Sequence, residues 1–548
     1  MILDHLPPLE RSWGICVVGS GPVGMAMALE CDRLGIDVLV LESGGIAVDA
    51  AMAEASRATI ADPQTHAPMA IAVCRAFGGT SWTWGGRCVP MDDIDLAARA
   101  HVPNSKWPID HDEIKTWYLK AAEYLLCGSD EFVRAPTRLP ADGLDLSTSC
   151  LERWSNQPRI AEVHRRRIAQ SKHITLCLNC TVVDLDLGEN GNSVDGVVVA
   201  SAQGKSTVKA RHLILAGGGV ESTRLLLAVQ RRWPARFGGL DGPLGRYYMG
   251  HISGKIANII FDKPKTIADL DFQKDSTGSY IRRRFTLKPA MQQSHQLLNT
   301  SFWPDNPPFH DPAHHSGVLS AVFLALSVPP VGRRLVSEGI RLAHVGPKPH
   351  HFGAHLANVV IGAPRGARDM ANILRDRFLS KPGKPGFLVR NAGGKYALHY
   401  HGEQEPNPDS RIVLTNETDR FGLPRVAIDF RFTQGDVRSV INSHEVLDSA
   451  LRAAYIGRLE YRYPADQLFD SVLAQASDGY HQAGTTRMGA DPSDSVVDSN
   501  LKVHNIANLH VASSSVFPTT GQANSTLPAV ALGVRLIHHL RNDTALPA

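Results

Sequence analysis

The stretch GICVVGSGPVGMAMALECDRLGIDVLVLESG, residues 14–44, decides how the chain is read. Ile15 to Val18 is a short apolar run rich in β-branched residues, Gly19, Gly21 and Gly24 form G-x-G-x-x-G, and Met25 to Leu34 carries helix formers up to Gly35. A second apolar run, Val38 to Leu41, ends at Glu42, 23 residues beyond Gly19, where a dinucleotide-binding βαβ unit places the acid that holds the adenosine ribose hydroxyls. Gly19 allows the tight turn, Gly21 lets backbone approach a pyrophosphate, and Gly24 lets the helix pack against the strand, with the helix N-terminus stabilising phosphate charge. Glycines serving only a tight turn would leave Glu42 unexplained. The motif alone does not choose between NAD and FAD.

Downstream, AFGGTSWTWGGRCVPMDDIDL (76–96) places Gly78-Gly79 and Gly85-Gly86 around Thr80, Ser81, Trp82, Thr83 and Trp84, a backbone able to wrap tightly around something flat or large. RHLILAGGGVESTRLLL (211–227) adds another buried strand, three glycines and a helix. Near the C-terminus stand HQAGTTRMG (481–489) and, 43 positions beyond His481, Asn524 in GQANSTLP. Histidine titrates closest to neutrality, so His481 is the candidate base for taking a proton from a substrate hydroxyl. Asn524, before a helix start, is placed to hold its amide toward the same oxygen.

Taken in order, these blocks resemble the glucose-methanol-choline (GMC) family of FAD-dependent oxidoreductases, in the branch with pyranose oxidases and glycoside 3-oxidases or dehydrogenases. The resemblance runs through KWPIDHDEIKTWY (106–118), LGRYYMGH (244–251), EQEPNPDSRIVL (403–414) and the closing NLHVASSSVFPTTGQANSTLPAVALGVRLIHHL (508–540), and covers nearly the whole chain. It implies an α/β fold: a Rossmann-type FAD-binding domain interleaved with an α+β substrate domain built on a mostly antiparallel sheet. It also implies a His/Asn catalytic pair at His481 and Asn524, with FAD contacts at Gly19, Gly21, Gly24, Glu42, Thr80, Ser81, Gly85, Gly86, Val182, Ala512, Asn524, Ser525 and Thr526. No metal is expected. Pyranose oxidases attach flavin through a histidine where this chain has Thr83, so FAD is expected to be held non-covalently unless a residue such as His66 substitutes.

The implied domains are residues 1–100, 171–250 and 462–548 for FAD, 101–170 as a helical and loop-like connection with a helix over Asp110 to Tyr124, and 251–461 for substrate. ITLCLNCTVVDLDL, GENGNS and VDGVVVAS read as strand, turn, strand; KIANIIFD, NTSFWP and SAVFLALSV read as strands, HFGAHLANVVIGAPRGARDMANILRDRFL as helix, and ETDRFGLPRVAIDF as a hairpin. Trp303, His399, Tyr400 and His401 are candidates to line a sugar pocket or to pack the sheet.

Apolar residues at 43%, charged residues at 20% and a net charge of +3 describe a globular protein with a sizeable core and no basic run, so nucleic acid is not an expected partner. MILDHLPPLERSWG lacks the features of a secretory signal, which points to the cytosol. GVLSAVFLALSVPPVG (317–332) is broken by Pro329 and Pro330 short of the roughly 20 residues that span a bilayer, and reads as a core strand; no membrane partner is expected. The eight cysteines are scattered, with only Cys177 and Cys180 as C-x-x-C, and read as buried thiols.

The expected reaction oxidises a secondary alcohol of a sugar, glycoside or related polyol to a ketone, with hydride passing to flavin N5. Reoxidation falls to oxygen, a quinone or an electron-transfer protein. An aminoglycoside, cyclitol or nucleoside alcohol is equally compatible, and the rival readings are an FAD-containing lyase, a non-catalytic FAD protein and an NAD enzyme.

Overall fold

The computed structural model describes residues 1–542; the side chains of Pro364 and Arg365 are outside that description. Six strands lie in one parallel sheet, in the order Ile2–Leu3, Ile174–Cys177, Val38–Leu41, Trp13–Val18, Ala210–Leu215, Leu509–Val511. Both faces are covered, which is why the runs are apolar throughout rather than alternating. Helix Pro22–Leu34 starts with proline in its first turn and stops at Gly35 in the left-handed region, φ 73°, and it packs against the C-terminal helix Thr526–Asn542.

A second six-stranded sheet is antiparallel, in the order Gly457–Tyr461, His251–Phe261, Lys395–Glu403, Thr300–Asp305, Phe285–Leu287, Leu146–Ser147. Helix Gln434–Ala453 covers it. A capping box between Thr433 and Asp436 opens that helix, and Val437, Val440, Leu447 and Leu451 recur at helical spacing to bury one face in the sheet's core. The connection 101–170 holds more than helix and loop. Leu146–Ser147 pairs with Phe285–Leu287, and Leu151–Trp154 pairs with Tyr280–Arg283. Its expected 110–124 helix is split into His111–Lys115 and Tyr118–Tyr124.

The reading of 317–332 as a core strand is overturned. Gly317–Ser327 is an α-helix whose N-cap, Ser316, accepts from Leu319 N, and a second helix, Pro329–Leu335, follows at 111°. Leu319, Phe323 and Leu326 are its buried stripe, at helical spacing. The run is apolar on every face, so the 3.6-residue period was invisible, and Pro329-Pro330 starts a helix rather than ending a strand. Among the described residues no single helix is long and apolar enough to cross a membrane. All eight cysteines are free, and six are buried.

Candidate active site

In an open parallel sheet a ligand sits beyond the carboxyl ends of the strands, where the strand order reverses. Here a groove, partly open to solvent, is lined by residues that follow five of those ends: Gly19 and Gly21 after Val18, Glu42 after Leu41, Val182 beyond Cys177, Ala216 to Gly219 after Leu215, and Ala512 after Val511. Thr80, His481, Ser525 and Thr526 line it too. Gly24 lies behind the first turn, while Ser81, Gly85, Gly86 and Asn524 are not in the lining. The Ser81 hydroxyl donates to Gly78 O at 2.6 Å, and Gly86 O accepts from Ser155 N at 2.7 Å, so both brace the second glycine block.

Two glycines are required by close approach. Gly19 has φ +101°, and a Cβ there would meet Ala216 O at 2.7 Å. Gly79, at φ +54°, lies so near the first turn that a Cβ would meet Gly21 Cα at 2.8 Å, which is how the second block reaches the first. At one end of the groove, the Pro22–Leu34 helix has no side-chain cap, leaving its first N–H groups for an anion. Glu42 Oε2 accepts from Ser20 N at 2.9 Å and Ser20 Oγ at 2.7 Å, and Oε1 from Gly44 N at 2.9 Å. Burial pushes its pKa up, opposed by those bonds. Its two oxygens keep acceptor capacity for ribose hydroxyls.

At the other end His481 and Asn524 meet. Asn524 Nδ2 lies 3.2 Å from His481 Nε2, and His481 Nδ1 lies 2.7 Å from His251 Nδ1. His251 opens the long strand of the second sheet and stacks on His401, with ring centroids 4.3 Å apart and planes at 16°. His401 is held by Ser253, Oγ to Nδ1 at 2.6 Å. The carbonyls of Ala523 and Gly521 lie beside His251 and favour its N–H, although neither reaches hydrogen-bond geometry with Nε2. In one tautomer set the His481 Nδ1–H donates to His251 Nδ1, the His251 Nε2–H faces the carbonyls, and the His481 Nε2 lone pair accepts from the Asn524 amide until a substrate hydroxyl takes its place. Burial, then the charge of Arg87, pushes His481 down to about 4, so it is neutral at pH 7 and able to accept a proton. Asn524 Oδ1 and Ser525 Oγ are buried without partners, the mark of a polar group yet to be met.

Residues 406–533 match the family model described as GMC oxidoreductase. Over its whole length the fold is similar to pyridoxine 4-oxidase from Mesorbium loti, at TM-score 0.50 and 16% identity, covering 97% of this chain and 99% of the other. The C-terminal part of the chain is thus similar to the GMC oxidoreductase family. Among curated relatives, this chain is 33% identical over 138 residues to paromamine 6'-oxidase of Streptomyces fradiae, covering 25% of this chain and 24% of that one. It is 35% identical over 129 residues to C-glycoside 3-oxidase of Arthrobacter globiformis, covering 23% of each. The matched stretch therefore spans about a quarter of either relative's length.

The matched family and the fold support an FAD site, and the residues here fit that cofactor. Gly19, Gly21 and the helix N-terminus suit the pyrophosphate, Glu42 the ribose, and the partnerless Asn524 and Ser525 atoms a flavin's polar edge. Thr83 Oγ1 donates to Thr80 O at 3.2 Å, and His66 has both ring nitrogens engaged, with Ala67 O at 2.7 Å and Tyr248 Oη at 2.8 Å.

Some site residues had no role assigned from sequence. His251 stood inside LGRYYMGH and His401 among the sugar-pocket candidates, but their meeting with His481 joins a sheet to a distant C-terminal loop. Arg75, which lines the groove and donates to Ser43 Oγ at 2.9 Å and Glu221 Oε2 at 2.6 Å, directly precedes the AFGG block, the only local signal it had. Trp303 pairs with His399 across the sheet and stacks on it at 4.4 Å, on the same face as His401. Tyr400 alternates to the other face and is buried in the core against His444.

The three imidazoles of His251, His401 and His481 lie close enough, with ligand atoms within 4.8 Å, to hold a metal by composition. Two nitrogens sharing tetrahedral zinc keep about 3.3 Å apart, whereas 2.7 Å between His481 and His251 is a hydrogen bond. Burial also holds His399 and His444 down at about 4, like His481. Neutral in the fold and protonated once unfolded below about pH 6.5, such groups stabilise the fold above that pH and cease to as pH falls toward 4. The melting temperature is therefore expected to drop steadily between pH 6.5 and 4. Scanning calorimetry across that range checks it, and a flat profile would remove the buried neutral assignment.

Proposed function

We propose that this chain is an FAD-dependent alcohol oxidoreductase that oxidises a secondary hydroxyl of a sugar, glycoside or related polyol to a ketone. The observation that carries this reading is the facing of His481 Nε2 and Asn524 Nδ2, 3.2 Å apart, where His481 lines a groove that also holds the glycine turn and Glu42. Bound FAD supplies the hydride acceptor. His481 Nε2 takes the hydroxyl proton, and the Asn524 amide donates to the same oxygen, fixing the carbon's orientation. The charge that develops on His481 is shared through its Nδ1–H with His251, whose own N–H leans on the Ala523 and Gly521 carbonyls. The names of relatives, acting on paromamine, a C-glycoside and, for another, fructose, support a polyhydroxylated substrate.

Anaerobic mixing with a panel of sugars, glycosides, aminoglycosides, cyclitols and nucleosides tests the reading: a true substrate bleaches the flavin band. Cyanohydrin cleavage without bleaching by any alcohol would instead support the lyase. The cofactor is held without a covalent bond in this reading, so acid precipitation is expected to leave all flavin in the supernatant. Oxygen uptake, compared with reduction of a quinone or an artificial electron acceptor, separates the acceptors.

His251 acts through His481. His251→Phe removes the acceptor for the His481 Nδ1–H and is expected to slow flavin reduction by about 10²-fold, the low end of what a misplaced base costs. His251→Gln, which restores an acceptor, should recover part of it. Unchanged rates and pH profiles in both variants would mean His251 only fills space.

A further inference from the structure

The helical excursion from Gly317 to Lys384 does not serve the reaction described above, and its outer face is unlike the rest of the surface. Among the described residues, eleven of the 23 exposed large apolar side chains fall between Val328 and Leu379. On the long helix Phe352–Leu374, Phe352, Leu356 and Val360 recur every fourth residue on the solvent side, with Val360 74% and Ile361 81% exposed. The opposite side is used: His355 bonds Ser320 Oγ at 2.9 Å, Asn358 donates to Pro312 O at 2.8 Å, and Gly362 lies against Gly317. This helix is thus apolar where it meets water, in a segment that is already packed.

Charge is concentrated there as well. Residues 317–384 carry ten Lys and Arg against three acids, a net +7 in a chain whose total is +3. Arg333, Arg334, Lys348, Arg368, Arg375 and Lys381 are exposed, and Arg334, Lys348, Arg368 and Lys381 make no ion pair among the described residues. A two-fold pairing of this face with its own copy would set these cations against each other. A nucleic acid would meet the cations but leave the apolar side chains in water. Apolar side chains among unpaired cations are complementary to a surface that is anionic at its headgroups and apolar beneath them.

We propose that the 317–384 cover docks peripherally on an anionic membrane surface, with Phe352, Leu356, Val360 and Ile361 entering the headgroup boundary and the exposed Arg and Lys meeting lipid phosphates. Helices Gly317–Ser327 and Pro329–Leu335 meet at 111°, and among the described residues no single helix is long and apolar enough to cross a bilayer, so the proposed contact is one in the plane of the interface. The docking face is the outside of the cover over the catalytic end. On its inner side, Gly339 sits so close that a Cβ would meet Tyr480 Oη at 2.6 Å, one residue from His481, and His344 stacks on Phe309 at 4.3 Å. The expectation of no membrane partner came from the break of the apolar run at Pro329-Pro330, which speaks to crossing a bilayer and not to resting on one; the total charge of +3 hides the local +7.

Sedimentation of the holoprotein with sucrose-loaded vesicles tests this. Binding is expected to be at least about tenfold tighter to phosphatidylcholine–phosphatidylglycerol vesicles than to phosphatidylcholine alone, and to weaken with added salt. Val360→Asp with Ile361→Asp, and separately Arg334→Glu with Arg368→Glu, should each abolish that binding while flavin content, melting temperature and flavin reduction stay at wild-type values. Equal binding to both vesicle types, or no binding, overturns the proposal. So does a wild-type dimer in analytical ultracentrifugation that the aspartate pair dissociates without any vesicle binding, since the face would then belong to a second copy.

Discussion

His481→Ala is expected to slow anaerobic flavin reduction by about 10² to 10⁴-fold, the range lost when a positioned base is removed, with FAD still bound. Binding should survive because the phosphate and ribose ends of the groove, at Gly19, Gly21 and Glu42, lie on other strands and do not depend on the imidazole. Turnover should not, because no neighbouring group replaces the lone pair. His251 Nδ1 already faces His481 Nδ1 and its Nε2 the Ala523 and Gly521 carbonyls, His401 Nδ1 is bonded to Ser253, and Asn524 offers an amide rather than a base. Stopped-flow mixing with substrate at several pH values gives the answer. Wild-type reduction should be flat at neutral pH and fall only as pH drops toward about 4, where His481 protonates. Bleaching of the alanine variant at the wild-type rate would remove His481 from the chemistry, and with it the proposed function.

Gly24→Val should have the larger effect on the protein as a whole. A Cβ on Gly24 would sit 2.0 Å from the carbonyl oxygen of Gly19 and 3.3 Å from Val17 Cγ1. Backbone cannot yield there without moving the first helix off the sheet, and with it the helix N-terminus that holds the phosphates. A loss of about 4 kcal/mol or more is expected, of the size reserved for steric conflict in a packed core. The purified variant should be colourless, poorly soluble or both, as the ratio of flavin to protein absorbance would report. A yellow protein melting at the wild-type temperature would show that the helix does not need this close approach.

The first half of the groove was legible because its meaning is local. Gly19, Gly21, Gly24 and Glu42 fall within one strand-turn-helix-strand, where spacing alone sets who meets the ligand. His481 and Asn524 were legible through resemblance, not through spacing, since 43 residues of loop and strand separate them. The His251 to His481 hydrogen bond could not be read: it forms between the first residue of an antiparallel strand and a loop 230 residues later. Whether Tyr400 lines a pocket or packs the sheet stayed open, as for His399 and His401, for want of one fact, which face of the Lys395–Glu403 strand meets the core. The 317–332 segment failed for a different reason, because uniform hydrophobicity erases the period that separates helix from strand.

The parallel sheet takes its outer strand from Leu509–Val511, and the Pro22–Leu34 helix is covered by Thr526–Asn542. A ribosome making this chain therefore releases the phosphate-binding turn hundreds of residues before the strand and helix that complete its surroundings. Until then the Ala210–Leu215 strand has an unpaired edge and the first helix a bare apolar flank, a half-built unit that needs protection from aggregation. Flavin loading is thus a late event in biogenesis, completed only once synthesis has passed the last helix.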